Sequence, residues 1–147
     1  VSAFPFYNSQ NSQVYSLVHC TSNREGFKLY KKSAWKVFGD QSSTKKTHGE
    51  DGQFVLNLDP NVGSVVTTST DESCFTVHDI TKYLQKSFSG RKGVHIEEMW
   101  ALLDEHPIFP SSYRNQIKQE LVEMYGATKE QVVDPFTGKK ETVISFR

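Results

Sequence analysis

The sequence predicts an α+β protein in two parts: a small strand-helix-strand segment over residues 1–72, then three helices closed by a β-hairpin over residues 76–147. Three observations lead there. Apolar residues recur at helical spacing once before residue 40 and three times after residue 75. β-prone runs bounded by turn residues flank the first helix and end the chain. The composition shifts near Asp71-Glu72, which places the boundary between the parts.

A chain of 147 residues suffices for one ordinary domain or two small ones. Lys plus Arg and Asp plus Glu each total 17, so the long-range positive field of a strongly basic nucleic-acid binder is absent. Any nucleic-acid face must be local. Cys20 and Cys74 make neither a metal spacing nor a disulfide framework, and a reducing cytoplasm is the expected compartment. No stretch approaches the roughly 20 apolar residues of a membrane span, and the opening residues lack the pattern of a signal peptide, so no membrane partner is expected. The chain opens on Val1 rather than Met, which suggests a fragment or processed product of something longer.

Residues 1–13, rich in Ser, Asn and Gln around Pro5, read as an irregular lead-in. Val14 to Cys20 reads as a short buried strand. Phe27, Tyr30, Ala34, Val37 and Phe38 then form the stripe of an amphipathic helix that stops at Gly39, with Lys28, Lys31, Lys32 and Lys36 on a solvated face. Trp35 flanks that stripe as an interface residue, against protein that precedes this chain. Asp40 to Gly52 has the composition of a mobile loop, Phe54 to Leu58 reads as a strand, and residues 64–70 as strand or linker.

The second part is better specified. Thr76 and Asp79 fit a capping box, Phe75 and Ile80 sit where a hydrophobic staple would, and Ile80, Tyr83, Leu84 and Phe88 make one apolar face before the break at Ser89 to Gly93. Val94 to Ile96 has room for a very short strand. Ile96, Met99, Trp100 and Leu103 then repeat over a helix that ends before Pro107. Pro110-Ser111-Ser112 starts another, with Tyr113, Ile117, Leu121 and Met124 inward and Gly126 at its end. Val132 to Phe146 reads as a hairpin around a Pro and Gly turn.

Three helices, a short turn between the second and third, and a terminal hairpin follow the order of a winged helix-turn-helix. In the DNA-binding form, the helix after the turn enters the major groove and the hairpin meets the backbone. That helix would present Ser112, Arg114, Asn115, Lys118 and Gln119 outward, donor-rich types suited to phosphates and bases, and Lys139 and Lys140 would add phosphate contacts from the wing. Double-stranded nucleic acid is therefore one expected partner. Residues 76–147 nevertheless hold ten Lys plus Arg against ten Asp plus Glu, and Glu120 and Glu123 share the helix. A module that docks on protein, either a separate partner or a missing N-terminal domain, is the alternative.

Tyr15 to Thr21, followed by Gly26 to Val37, resembles the strand and basic helix near the C-terminal end of three-Cys-motif partner proteins. Ser112-Tyr113-Arg114 and the closing Val143 to Phe146 are similar to the winged helix that ends those proteins. The resemblance implies a parent protein with a methyltransferase-like N-terminal domain, encoded beside a radical enzyme. This chain holds no Gly-rich strand-turn-helix for a nucleoside cofactor, so no cofactor is expected and no catalytic residue carries over.

No nucleophile, base or metal constellation emerges independently. None of the five His lies at i, i+4 from another on a helix, His95 and His106 are expected as caps or surface groups, and Cys20 beside His19 is expected as a buried thiol. The chain is thus expected to bind rather than catalyse. Ile80, Leu84, Trp100, Leu103, Ile117, Leu121, Val143 and Ile144 should share one core. Leu121→Ala should then cost about 2 to 5 kcal/mol and Gln119→Ala less than about 0.5 in chemical denaturation.

Overall fold

The computed structural model describes residues 1–8, 10, 12–44 and 74–147. Those residues form a mixed α+β fold of four helices and two small antiparallel sheets. The expected strand at 54–58, the strand or linker at 64–70 and the boundary near residues 71–72 lie outside the described residues.

The chain begins with a strand, not an irregular lead-in. β1 (Ser2–Tyr7) pairs antiparallel with β2 (Gln13–His19), and Pro5 is accommodated opposite Ser16 because, among the described residues, neither strand has a further neighbour. β2 lies where the sequence puts a strand, but its residues are exposed rather than buried, with only His19 half-buried. β1 faces the core instead, through Phe4.

α1 (Arg24–Val37) starts on Asn23, whose side chain accepts from the Gly26 N–H at 3.0 Å. Its buried stripe is rotated from the expected one. Lys31, Ala34 and Trp35 are buried, Val37 is 78% exposed, and Tyr30 is half-buried with its hydroxyl donating to Leu17 O. The solvated lysine face therefore needs correction at Lys31. Its Nζ donates to the carbonyls of Leu103 and His106 at 2.7 Å and of Asp104 and Phe109 at 3.0 Å. Three N–H bonds serve four oxygens, so at least one proton is shared. Trp35 is also core within this chain rather than an interface residue, with its Nε1–H donating to Ile108 O at 3.0 Å and its ring against Phe109 and Tyr113.

The described beginning of the expected mobile loop is built in. Gln41 bridges to Thr76, Ser42 N–H donates to Phe75 O at 2.9 Å, and Ser42 and Ser43 are buried. Composition missed this because the partners come from the entry to the next helix.

α2 (Val77–Phe88) starts as expected, with the Asp79 carboxylate accepting from the Thr76 N–H at 2.8 Å. The Thr76 hydroxyl donates to the same carboxylate at 2.9 Å. β3 (Val94–His95) leads directly into α3 (Ile96–Glu105). α4 (Arg114–Tyr125) begins after Tyr113, two residues later than the serines suggested, and ends at Gly126 in the left-handed conformation. Of its expected inward residues, Ile117 and Leu121 are fully buried and Tyr113 is half-buried, whereas Met124 is 61% exposed and the neighbouring Tyr125 is the residue that packs back, stacking on His78 of α2. β4 (Thr128–Val133) begins four residues before the expected hairpin and pairs with β5 (Lys140–Ser145). β3 joins the other side of β5, giving the order β3-β5-β4.

Seven of the eight expected core residues share one cluster, and Val143 is buried outside it. Phe4, Ala34, Trp35 and Phe38 belong to the same cluster. The first segment therefore packs directly on the helices that follow.

Lys31→Met should destabilise the protein by about 3 kcal/mol or more, because hydrogen bonds to charged groups contribute about 1.5 to 3 kcal/mol each and the carbonyls would lose their donor. Lys32→Met, at an exposed neighbour, should stay within about 0.5 kcal/mol. Urea unfolding measures both, and equal midpoints would contradict the role given to Lys31.

Candidate nucleic-acid interface

The turn from α3 to α4, residues 106–113, sets where the polar face of α4 sits. It is short, and side chains from distant parts of the chain fix it. His106 caps α3, and its Nδ1 accepts from the Ile108 N–H at 3.1 Å and the Phe109 N–H at 2.9 Å. The ring is therefore neutral with its proton on Nε2. It stacks on Phe109 at 4.1 Å and meets Tyr83 edge-on. Burial, and secondarily the charge of Lys31, pulls His106 down to about 4. Burial likewise brings Lys31 down to about 8, with Asp104 opposing and Lys28 adding to the fall, so Lys31 stays charged at neutral pH. The Ser2 hydroxyl donates to Pro107 O, and the Ser111 hydroxyl to Asp104 at 2.6 Å. Tyr113 closes the turn by donating to the Asp40 carboxylate at 2.7 Å, and burial together with that bond raises its phenol above the ordinary value.

From this turn, α4 presents the residues the sequence singled out. Ser112, Arg114, Asn115 and Gln119 are exposed and Lys118 is half-buried. Ser112 precedes the helix rather than lying on it. Arg114 has its guanidinium over the Trp100 ring at 5.3 Å and its Nε–H donating to Ser111 O at 3.3 Å, so it is steadied without being covered. Asn115, Lys118 and Gln119 come together with Val122, Glu123 and Lys129 around a shallow concavity of about 360 Å³. Sequence inspection missed Lys129, because the polar run Thr128 to Gln131 does not look like a strand.

The two acids that counted against a basic face are both engaged. Glu120 accepts from the buried Thr81 hydroxyl at 2.8 Å and from Gln116 at 3.0 Å, with His78 at 3.5 Å. Glu123 accepts from Gln119 at 2.9 Å, which occupies one of the expected contact residues. Lys139 and Lys140 are exposed in the hairpin, in the turn and at the start of β5, and α4 does not share its concavity with them.

The remaining candidates stay apart. Cys20 is exposed rather than buried, since it follows the solvent-facing β2, while Cys74 is buried. His95 caps α3 and pairs with Glu141 at 2.9 Å, and His19 stacks on Tyr30. Among the described residues no group of three His, Cys, Asp or Glu could hold a metal, and no helix is long and apolar enough to cross a membrane. No family model matches the chain, and no curated protein or solved structure matches it either.

The neutral His106 gives the turn an acid sensitivity. Between its ordinary value of 6.5 and about 4 the unfolded chain binds a proton that the fold does not, so stability falls as pH drops through that interval. His106→Asn, whose side-chain oxygen can accept from the same two amides, should keep the turn and flatten that part of the pH profile. Urea midpoints at pH 7.5 and 4.5 for both proteins test this, and parallel losses would contradict it.

Proposed function

We propose that residues 76–147 form a winged helix-turn-helix that binds double-stranded nucleic acid through α4 and the hairpin, and that this chain binds rather than catalyses. The order α2-β3-α3-α4-β4-β5, with β3 joined to the outer side of the hairpin, supports the winged-helix assignment. The observation that carries the binding reading is the one-sided burial of α4. Only Ile117 and Leu121 are buried, which leaves Arg114, Asn115, Lys118 and Gln119 at or near the surface of a helix held firmly at its N-terminal end. Lys129, Lys139 and Lys140 add cations from the hairpin. The resemblance to three-Cys-motif partner proteins extends the proposal to a larger methyltransferase-like parent, in whose other residues any catalysis would reside.

The same helix exposes Val122 and Met124, at 42% and 61%, and these favour a second reading in which α4 docks on protein. Salt dependence separates the two.

Each neutralised phosphate contributes about −0.9 to the slope of log K against log salt, so Arg114, Lys118, Lys129, Lys139 and Lys140 allow a slope no steeper than about −4.5. The dissociation constant should fall near the nonspecific range of roughly 10⁻⁴ to 10⁻⁶ M at physiological salt. Arg114→Ala and the double change Lys139→Ala, Lys140→Ala should each weaken binding, while Lys32→Ala and Lys36→Ala on α1 should not. Titration of a labelled duplex at two salt concentrations decides the matter. No affinity at low salt, or affinity that survives loss of the five cations, would move the assignment to protein docking.

A further inference from the structure

The hairpin turn carries a feature that duplex-backbone binding leaves unused. Phe136, at the tip, is 97% exposed. Single apolar side chains at a surface are ordinary, but this one stands on a turn whose backbone is tied down. Asp134 Oδ1 accepts from the Phe136 N–H at 2.8 Å and from the Thr137 N–H at 3.4 Å, and its Oδ2 accepts from the Thr137 hydroxyl at 2.7 Å. The Asp134 N–H donates to Lys139 O at 2.9 Å and the Gly138 N–H to Asp134 O at 2.8 Å, with Gly138 at a φ of 66° that only glycine adopts without strain. The Thr137 hydroxyl, followed by the N–H bonds, holds the Asp134 carboxyl below its ordinary value, so the tie persists across neutral pH.

A fixed backbone loses little entropy when its aromatic side chain is captured. The ring therefore projects as a preorganised apolar wedge with Lys139 and Lys140 exposed just after it in the chain. An exposed apolar ring followed within four residues by two exposed cations suits a partner whose flat π-face lies near a phosphate. Nucleobases that are unpaired or easily unstacked have that character, whereas a blunt, fully stacked duplex offers the ring little.

We propose that Phe136 stacks on an unpaired or unstacked nucleobase at a duplex-single-strand junction while Lys139 and Lys140 hold the adjacent phosphates. This rests on the nucleic-acid reading of the preceding subsection and narrows its substrate from duplex in general to duplex with an opened base.

The test uses the full chain, its Phe136→Ala and Phe136→Trp variants, and two labelled substrates: a blunt duplex and the same duplex with a single-stranded overhang carrying 2-aminopurine at the junction. The ring makes no buried contact, so both variants should unfold at the wild-type temperature. Phe136→Ala should weaken junction binding about 10-fold and blunt-duplex binding less than about 2-fold, since base stacking on an aromatic side chain supplies an effect of that size. Phe136→Trp should restore junction binding. Junction 2-aminopurine fluorescence should change with wild type and Phe136→Trp but not with Phe136→Ala. If wild type binds both substrates and Phe136→Ala changes neither, the wedge is wrong and the duplex reading stands. If wild type binds neither at low salt, both are wrong. Phe136-dependent binding to phosphatidylserine vesicles with no junction preference would assign the tip to an anionic membrane surface and overturn the proposal.

Discussion

The ammonium of Lys31 fixes the relation between the two parts of the described chain. The last carbonyls of α3 are under-supplied with donors, the single His106 N–H being shared between Leu102 O and Leu103 O at 3.2 Å, and its own last turn has no basic residue to meet them. Lys31 supplies that charge from α1, across more than 70 positions of sequence, and meets the carbonyls of Leu103, Asp104, His106 and Phe109 together. Removing a charge from water is costly, which is why burial depresses the Lys31 pKa. The cost is offset only while all four oxygens stay in place, so the arrangement specifies one conformation of the turn rather than merely adding stability.

The neighbouring bonds act in the same direction. Trp35 donates to Ile108 O, Ser2 to Pro107 O and Tyr113 to Asp40, so α1, β1 and the residues after α1 all hold residues 106–113. His106 supplies the acceptor that the turn's own amides need. The position of α4, and of the polar face proposed to bind nucleic acid, is therefore set by the first 40 residues as much as by its packing on α2 through Ile117 and Leu121.

Much of α2, α3 and α4 was legible because each has a strong 3.6-residue apolar period bounded by a cap, a glycine or a proline. Lys31 was not, because its type is nearly always solvated and it sits among three other lysines. The signal was nonetheless present: Phe27, Lys31, Ala34, Trp35 and Phe38 keep helical spacing as well as the stripe through Tyr30 and Val37, and placing both large aromatics inward requires a buried lysine. Pro5 and the Ser-, Asn- and Gln-rich run after Tyr7 hide β1, and the apolar character of Val14, Leu17 and Val18 suggests a burial that β2 does not have. At the candidate interface, Arg114, Asn115 and Gln119 could be read from helix phase alone. Lys129 could not, since β5 imposes strand structure on a run with little β-propensity of its own, and nothing in the turn sequence around Phe136 distinguishes an exposed ring from a packed one.

The central claim, that the face formed by α4 and the hairpin meets nucleic acid, is tested most directly by amide chemical-shift mapping during addition of a duplex with one single-stranded end. The largest perturbations should fall in residues 112–119 and 128–140 and fade as salt rises. Perturbations concentrated in Gln13–His19 and α1, or none at low salt, would contradict it.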